Sequence, residues 1–136
     1  TQPRLLAFKL GGNSPIPAAA EVPSMPKPPV PRFDQPLARL GQLRFEQHIC
    51  SECHGLSAET VQGGVPDLRL APPPNLDVLK AIVIGGALKA NGMPQYEHLT
   101  PEEAESIYAF VINQAWDAYD AEHKGTSEND TDPDQE

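Results

Sequence analysis

Apolar residues recur three and four positions apart in several stretches of this chain, the spacing that puts side chains on one face of an α-helix. The first such stretch spans residues 37–48 and is long enough for about three turns. The second spans residues 75–88, begins with the helix-capping residue type Asn75 and closes around Gly85-Gly86. Both stretches are therefore predicted to be amphipathic helices.

A third helix is predicted from the signals at its start. Thr100 and Glu103 have the spacing of a capping box, and Pro101 occupies the first helical position. The apolar pattern then continues through Trp116 or Tyr119. Residues 56–75 are rich in glycine, proline and short polar residues, which predicts a loop. The order helix, loop, helix, loop, helix predicts an all-α domain over residues 37–122.

The chain before this domain has a different pattern. Residues 1–12 hold a short apolar run closed by Gly11-Gly12, which predicts one β-strand. A lone strand is unstable, so it must pair outside this chain or form an extended arm. Residues 13–36 contain eight prolines and are interpreted as a semi-rigid linker. Residues 123–136 are acidic and polar, and we expect a disordered tail there.

Charge and length exclude several classes of protein. A net charge of −9 argues against a nucleic-acid partner, because non-specific binding to phosphates needs clustered Lys and Arg. The longest apolar run, residues 81–88, falls well short of the roughly 20 residues that span a bilayer. No secretory leader pattern and no initiating Met are present, so we expect a mature product or a fragment. The 136 residues suffice for one small domain.

The two cysteines carry the strongest chemical signal. Cys50 and Cys53 stand two residues apart, and His54 follows at once. This spacing predicts covalent haem attachment, with two thiols reaching the porphyrin vinyl groups and the adjacent imidazole reaching the iron. A zinc site would need further ligands and lacks a second cysteine pair. A thioredoxin-like pair would need a βαβ pattern, and a disulfide here would close a very short loop.

The second axial position of the iron has several candidates. Met93 lies in a turn between two predicted helices, and Met25 lies in the linker. We predict that Met93 is the ligand, because a thioether in a fixed turn can reach the open face of the iron. His48 and His98 are rivals that we interpret as surface or helix-side residues. An ordinary core role for Met93 would leave the iron open for gas binding or catalysis.

With these residues in place, the sequence resembles class I cytochromes c over residues 37–120. Gly41 and Phe45 resemble the residues of this family that cross the C-terminal helix, where the facing aromatic would be Phe110 or, alternatively, Tyr108. The resemblance implies a small all-α class I cytochrome c fold, with three or more helices around the covalent haem. It also implies further residues of the haem environment. They are Pro66, whose carbonyl would accept the ring N–H of the proximal histidine, and Leu68, which would pack on the haem plane.

Two further expectations concern the surroundings of the haem. Arg69 is the basic residue in the loop after the motif and is a candidate partner for a haem propionate, although it has the alternative of a solvated surface arginine. Ile49, Leu56 and residues 72–74 are candidates for an apolar docking surface near the haem edge, through which electrons would enter and leave.

A narrower resemblance involves the N-terminal residues. Residues 4–12, followed by a proline-rich linker and a cytochrome, resemble the carboxyl end of quinohaemoprotein alcohol dehydrogenases, as do residues 66–69 and 92–96. This resemblance implies a parent β-propeller domain that holds pyrroloquinoline quinone and donates electrons to the haem. A soluble carrier such as a small copper protein or another cytochrome would accept them, in the periplasm.

The cytochrome itself would catalyse no alcohol oxidation, because no quinone-binding or substrate-oxidising residue can be assigned in this chain. Two alternatives stay open. One is a free-standing periplasmic cytochrome c that carries electrons between other proteins. The other is a haem sensor or peroxidase with an open sixth site.

Overall fold

The computed structural model describes residues 7–16, 18, 23–60 and 64–124. Its α-helices are α1 (Gln35–Gln47), α2 (Ser51–His54), α3 (Leu76–Val83) and α4 (Pro101–Lys124), and a 3-10 turn lies at Lys89–Asn91. Within these described ranges there is no β-strand. The predicted all-α fold is therefore confirmed.

The helix starts follow from capping side chains. The Asp34 carboxylate accepts a hydrogen bond from the Leu37 backbone N–H at the start of α1. The Asn75 side chain accepts one from the Val78 N–H, 2.9 Å away, at the start of α3. Each contact satisfies a backbone donor that lacks a partner in the first helical turn, so the local sequence determines where these helices begin.

Helix α4 opens with the capping box that the sequence predicts. The Thr100 N–H donates to Glu103 Oε2 over 3.0 Å, and the Glu103 N–H donates to Thr100 Oγ1 over 3.2 Å. The helix then continues to Lys124, beyond the predicted end at Trp116 or Tyr119. That prediction was wrong because the apolar pattern fades after Tyr119, whereas the residues that follow have no proline or glycine to stop the helix before Gly125.

The core forms where α1 crosses α4. A Cβ on Gly41 would overlap the carbonyl oxygen of Ser106, so a glycine is needed for the two backbones to approach this closely. The Phe45 ring then packs against the Phe110 ring, with centroids 5.2 Å apart. Phe110 is thus the facing aromatic, and Tyr108 instead packs edge-on against Phe33 at 5.7 Å.

The predicted boundaries of the N-terminal segments can be compared with the described residues. Residues 7–12 are exposed and contain no strand within the described part of the chain; residues 1–6 lie outside it, and pairing with a partner outside this chain, or an extended arm, stays a prediction. Residues 35 and 36 of the predicted linker belong to α1. At the other end, His123 and Lys124 of the predicted tail belong to α4, and residues 125–136 lie outside the described residues.

In the described part of the chain, no helix combines the length and the apolar character needed to cross a membrane.

Candidate functional site

The cysteine motif follows a sharp reversal at the end of α1. Ile49 adopts a left-handed backbone conformation with φ 55°, which turns the chain from α1 into the short helix α2. The Cys50 N–H still bonds to the Phe45 carbonyl over 3.0 Å, so the motif stays attached to α1. The His54 N–H donates to the Cys50 carbonyl over 3.0 Å, which places both cysteines and the histidine on one helical turn.

Both thiols are free, with no disulfide between them in this described segment. Cys50 is half-buried and Cys53 is exposed. Burial raises the pKa of the Cys50 thiol to about 11, so this thiol is protonated and unreactive as a thiolate at neutral pH in the bare polypeptide. The structural disulfide weighed for this pair is therefore not present.

His54 is the buried end of the motif, with only 8% of its surface exposed. Its Nδ1 lies 3.4 Å from the Pro66 carbonyl oxygen, and its ring centroid lies 6.4 Å from that of Phe45. Burial lowers the pKa of His54, and the Pro66 carbonyl opposes this shift only in part. A carbonyl can only accept, so the proton of the neutral ring belongs on Nδ1. The lone pair is then on Nε2, the atom left for a metal.

The loop after the motif is tied back to it by close backbone contacts. Gly55 has φ 72°, and a Cβ on it would overlap the Glu59 carbonyl oxygen, so glycine is required there. The Leu68 N–H donates to the carbonyl of the fully buried Ala58 over 3.1 Å. This bond holds residues 66–68 beside His54 and leaves Leu68 half-buried against the core.

Arg69 is held by carboxylates of the same loop. Its Nη2 lies 2.9 Å from Asp67 Oδ2 and 2.8 Å from Glu59 Oε1, and its Nε donates to Asp67 Oδ1. Burial alone would raise the pKa of Asp67, but its bonds to the Arg69 guanidinium and N–H outweigh this and lower it. The two carboxylates occupy the Nε and Nη2 atoms of Arg69, so any approach of a haem propionate would have to compete with them.

The two methionines lie in different surroundings. Met93 follows Gly92, which has φ 93°, and its N–H donates to the Leu88 carbonyl over 3.3 Å. Its side chain is half-buried and packs against the core. Met25, by contrast, lies beside the end of α4, where its N–H donates to Glu122 Oε2 over 2.7 Å. Of the two thioethers, Met93 shares the core cluster against which the cysteine motif packs.

The rival histidines form a cluster that the sequence does not predict. The His48 ring lies 5.5 Å from the His98 ring and 6.5 Å from the Tyr96 ring, between centroids. His48 Nε2 is 3.6 Å from Glu103 Oε1. The same oxygen forms an ion pair with Arg44 Nη1, 3.2 Å away. Spacing along the chain contains no signal that would bring residue 48 to residues 98 and 103.

Tyr96 also belongs to this region, although no sequence motif marks it as a site residue. Its N–H donates to the Val83 carbonyl over 2.7 Å, which joins the turn after Met93 to the end of α3. Partial burial and the nearby Cys50 and Cys53 thiols raise the pKa of its hydroxyl. Tyr96 is therefore part of the electrostatic surroundings of the cysteine motif.

The donor atoms fit a covalently attached haem. Cys50 and Cys53 offer free thiols on one turn, and His54 offers Nε2 from a ring whose other nitrogen is paired with a carbonyl. Met93 offers a thioether on the same apolar cluster against which Cys50 and Leu68 pack. Two thiols, an imidazole and a thioether form the donor set of a haem c with two protein ligands.

Comparisons with known proteins agree with this chemistry. The family model described as "Cytochrome C oxidase, cbb3-type, subunit III" matches residues 36–111. Lupanine 17-hydroxylase [cytochrome c] of Pseudomonas sp is 40% identical over 119 residues, which are 88% of this chain and 17% of that protein. Quinohemoprotein alcohol dehydrogenase ADH IIB of Pseudomonas putida is 39% identical over 127 residues, which are 89% of this chain and 18% of that protein.

A third relative covers still more of the chain. The dehydrogenase subunit of alcohol dehydrogenase (quinone) from Gluconobacter oxydans (strain 621H) is 37% identical over 131 residues, 94% of this chain. The chain spans only 17–18% of the lengths of these three relatives. The family match contains all of α1 but its first residue, together with the cysteine motif, His54 and Met93. The chain therefore belongs to this family of cytochrome c domains and is related to the cytochrome c domains of quinohaemoprotein alcohol dehydrogenases.

Proposed function

We propose that this chain transfers single electrons through one haem c, bound covalently to Cys50 and Cys53 and ligated by His54 and Met93. The observation that carries the proposal is the arrangement of the motif: two free thiols on one turn beside a buried imidazole whose Nδ1 faces the Pro66 carbonyl. When bound, the haem supplies a one-electron couple whose potential is raised by a methionine ligand.

The residues of the chain would hold this group in a single geometry. His54 stays neutral because burial lowers its pKa, so Nε2 is available without the loss of a proton. Its Nδ1–H, donated to Pro66, restrains rotation of the ring. If His54 and Met93 both hold the haem iron, no open position would remain for a substrate. Electron transfer then requires no exchange of ligands.

We propose a quinone-containing dehydrogenase domain as the electron donor, in the same polypeptide or in a complex. The support is that two of the relatives described above are named as quinone-dependent or quinohaem alcohol dehydrogenases and align with 89–94% of this chain. In such an enzyme, pyrroloquinoline quinone would belong to the partner domain. The periplasm is the location that we propose, since haem c attachment in the resembling family occurs there.

The electron acceptor that we propose is a soluble carrier, either a small copper protein or another cytochrome. Ile49 and Leu56 support a docking surface beside the motif, because they are 64% and 68% exposed although both are apolar. Pro73 is buried, so the predicted contribution of residues 72–74 to that surface is reduced to its two flanking prolines. Small, mainly apolar contact areas are typical of transient redox encounters.

Acid–acetone extraction of the purified chain tests the haem proposal directly. Covalent haem stays with the polypeptide, and the intact mass rises by the mass of one haem. A Cys50→Ala, Cys53→Ala double variant should release its haem, whereas Cys50→Ala alone should keep one thioether link. Extraction of all haem from the unaltered chain would contradict the proposal. The mass of the polypeptide found in the cell would separate a domain of a dehydrogenase from a free-standing carrier.

A further inference from the structure

Helix α4 is buried on all sides over two turns. An amphipathic helix at a domain surface would instead leave one face exposed to solvent. Every residue from Ser106 to Asn113 is at most 3% exposed. Helices α1 and α3 cover part of this surface. The segment Met25–Asp34, called the strap below, covers another part, with Pro28 buried and Val30 and Phe33 half-buried against the core. These residues lie in the segment that composition assigns to the linker.

The strap is bound through its backbone by side chains of α4. Asn113 is 3% exposed and makes a paired contact with Phe33: its Nδ2 donates to the Phe33 carbonyl over 3.1 Å, and its Oδ1 accepts from the Phe33 N–H over 2.9 Å. Trp116 Nε1 donates to the Val30 carbonyl over 2.9 Å. Such bonds satisfy backbone groups of an extended segment, much as a neighbouring strand would.

A charged contact adds to these hydrogen bonds. Arg32 Nη1 lies 2.7 Å from Asp117 Oδ1, and Nη2 lies 2.8 Å from Asp120 Oδ2. The guanidinium also stands 5.9 Å from the centre of the Trp116 ring. These groups are partly exposed, so salt screens them, whereas the buried amide of Asn113 is not screened. Asn113 should therefore hold the strap more firmly than Arg32 does.

The direction of the strap determines where the preceding chain leaves the domain. Phe33 is bound at Asn113, and the Met25 N–H is bound at Glu122, nearer the C-terminal end of α4. At about 1.5 Å per residue, these two points are about 14 Å apart along α4. The strap leads into the start of α1, whereas the cysteine motif follows the end of α1. At that end His48 contacts Glu103, which lies in the first turn of α4.

We infer that the strap is a docked segment, positioned by Asn113, which fixes the exit of the chain before Met25 at the end of α4 remote from the cysteine motif. This has a consequence that rests on the proposed function: a docked strap shortens the tether to an electron donor in the same polypeptide. Release of the ten strap residues would add about 30 Å of reach, at about 3.1 Å per residue for proline-rich chain.

Hydrogen exchange measured by NMR on the isotope-labelled, haem-loaded chain tests the docking. The probes are the Phe33 amide and the indole N–H of Trp116, which gives a single indole signal because the chain has one tryptophan. Asn113→Ala should speed exchange of both probes about tenfold or more, since it leaves the Phe33 groups without a partner. Arg32→Gln should speed it about threefold at low salt, and high salt should bring the unaltered chain to the same rate. Arg39→Ala, an exposed arginine of α1, is the control and should change neither probe.

Exchange in the unaltered chain as fast as in an unstructured peptide would overturn the inference, as would unchanged probes in Asn113→Ala. If Asn113→Ala does not fold, the salt-dependent effect of Arg32→Gln decides the question in the same way. The probes report on the strap whether or not electrons move. Failure of haem attachment would thus contradict the proposed function alone, and unprotected probes in a haem-loaded chain would contradict the strap alone.

A distance measurement tests the exit point. Ser24→Cys, labelled with a fluorophore after haem attachment, places a probe beside Met25, and energy transfer to the haem reports their separation. The docked strap should give a narrow distribution of fluorescence lifetimes, which Asn113→Ala should broaden. An equally broad distribution in both chains would overturn the fixed exit.

Discussion

Gly41 of α1 lies directly against the carbonyl oxygen of Ser106 in α4, with no room between the two backbones for a methyl group. The Phe110 Cβ would stand only 3.0 Å from a Cβ at this position. This contact sets the crossing of the two helices and, through Phe45, the position of the cysteine motif that follows α1. The close approach of two backbones thus supports the candidate haem site.

Gly41→Ala should destabilise the domain by about 2 kcal/mol or more, because overlap with a backbone atom cannot be relieved by rotation of a side chain. Alanine would otherwise gain about 1 kcal/mol in a helix, so a measured loss shows that the overlap outweighs helix propensity. The midpoint of urea unfolding measures the effect. Gln42→Ala, at the exposed neighbouring position, should change stability by less than about 0.5 kcal/mol. A Gly41→Ala chain as stable as the original would refute the tight crossing.

Met93→Ala should lower the reduction potential by on the order of 100 mV and open the iron to carbon monoxide. The expected reason is the loss of the thioether proposed above as a ligand, which would stabilise the reduced iron and occupy the position that carbon monoxide would take. Potentiometric titration and carbon monoxide difference spectra measure the two effects. Met25→Ala should produce neither, because Met25 lies beside Glu122 at the end of α4. Ready binding of carbon monoxide by the unaltered reduced protein would favour the open-site alternative.

Ile49→Asn should affect stability and partner binding in opposite directions. Ile49 is a β-branched residue at φ 55°, a backbone conformation that such residues rarely adopt, and its side chain is 64% exposed. The isoleucine therefore makes no evident contribution to the stability of the fold. Asparagine adopts this conformation more easily, and stability should stay equal or rise by about 1 kcal/mol. The bimolecular rate of electron transfer to a soluble carrier should fall about fivefold with the potential unchanged.

Leu43→Gln serves as the control for Ile49→Asn. Leu43 is likewise apolar and 62% exposed, but it belongs to α1, six positions before Ile49 in the chain. Its substitution should leave the bimolecular rate unchanged, as measured by stopped-flow absorbance. If both variants slowed transfer equally, a general loss of apolar surface would explain the result, and the docking surface at Ile49 would be rejected.

Glu103→Gln should remove a pH-dependent contribution to stability. The Thr100 N–H hydrogen bond, together with the charges of Arg44 and His48, lowers the pKa of Glu103 in the folded chain. A lowered folded pKa means that the ionised carboxylate stabilises the fold above its unfolded pKa, and that this contribution is lost as pH falls through the folded pKa. Glutamine retains the capping-box hydrogen bond, so the variant isolates the charge.

The difference in melting temperature between the unaltered chain and Glu103→Gln should thus be present at about pH 5 and shrink below about pH 4. Thermal unfolding followed by circular dichroism across this range measures it. Glu102→Gln, at the exposed adjacent position, should give a smaller difference. A difference that grew as pH fell below about 5 would have the wrong sign for a lowered pKa and would contradict the assignment.

Local sequence patterns determined the helix starts and the chemistry of the motif. Asn75, Thr100 and Glu103 satisfy backbone donors within three residues, an interaction that short-range spacing is enough to predict. The order Cys50, Cys53, His54 needs only one helical turn to bring its donors together, so haem chemistry could be inferred before any fold was known.

Only the tertiary structure decided contacts between residues far apart in the chain. Asn113 is an ordinary polar residue in the helical pattern, yet folding buries it against the backbone of Phe33, 80 positions away. The contact between His48 and Glu103 likewise forms only because folding brings distant parts of the chain together. Composition identified residues 13–36 as linker because proline limits the backbone locally, and it contains no information on what that backbone binds. Long-range burial, which no local spacing encodes, made part of the linker a component of the folded domain.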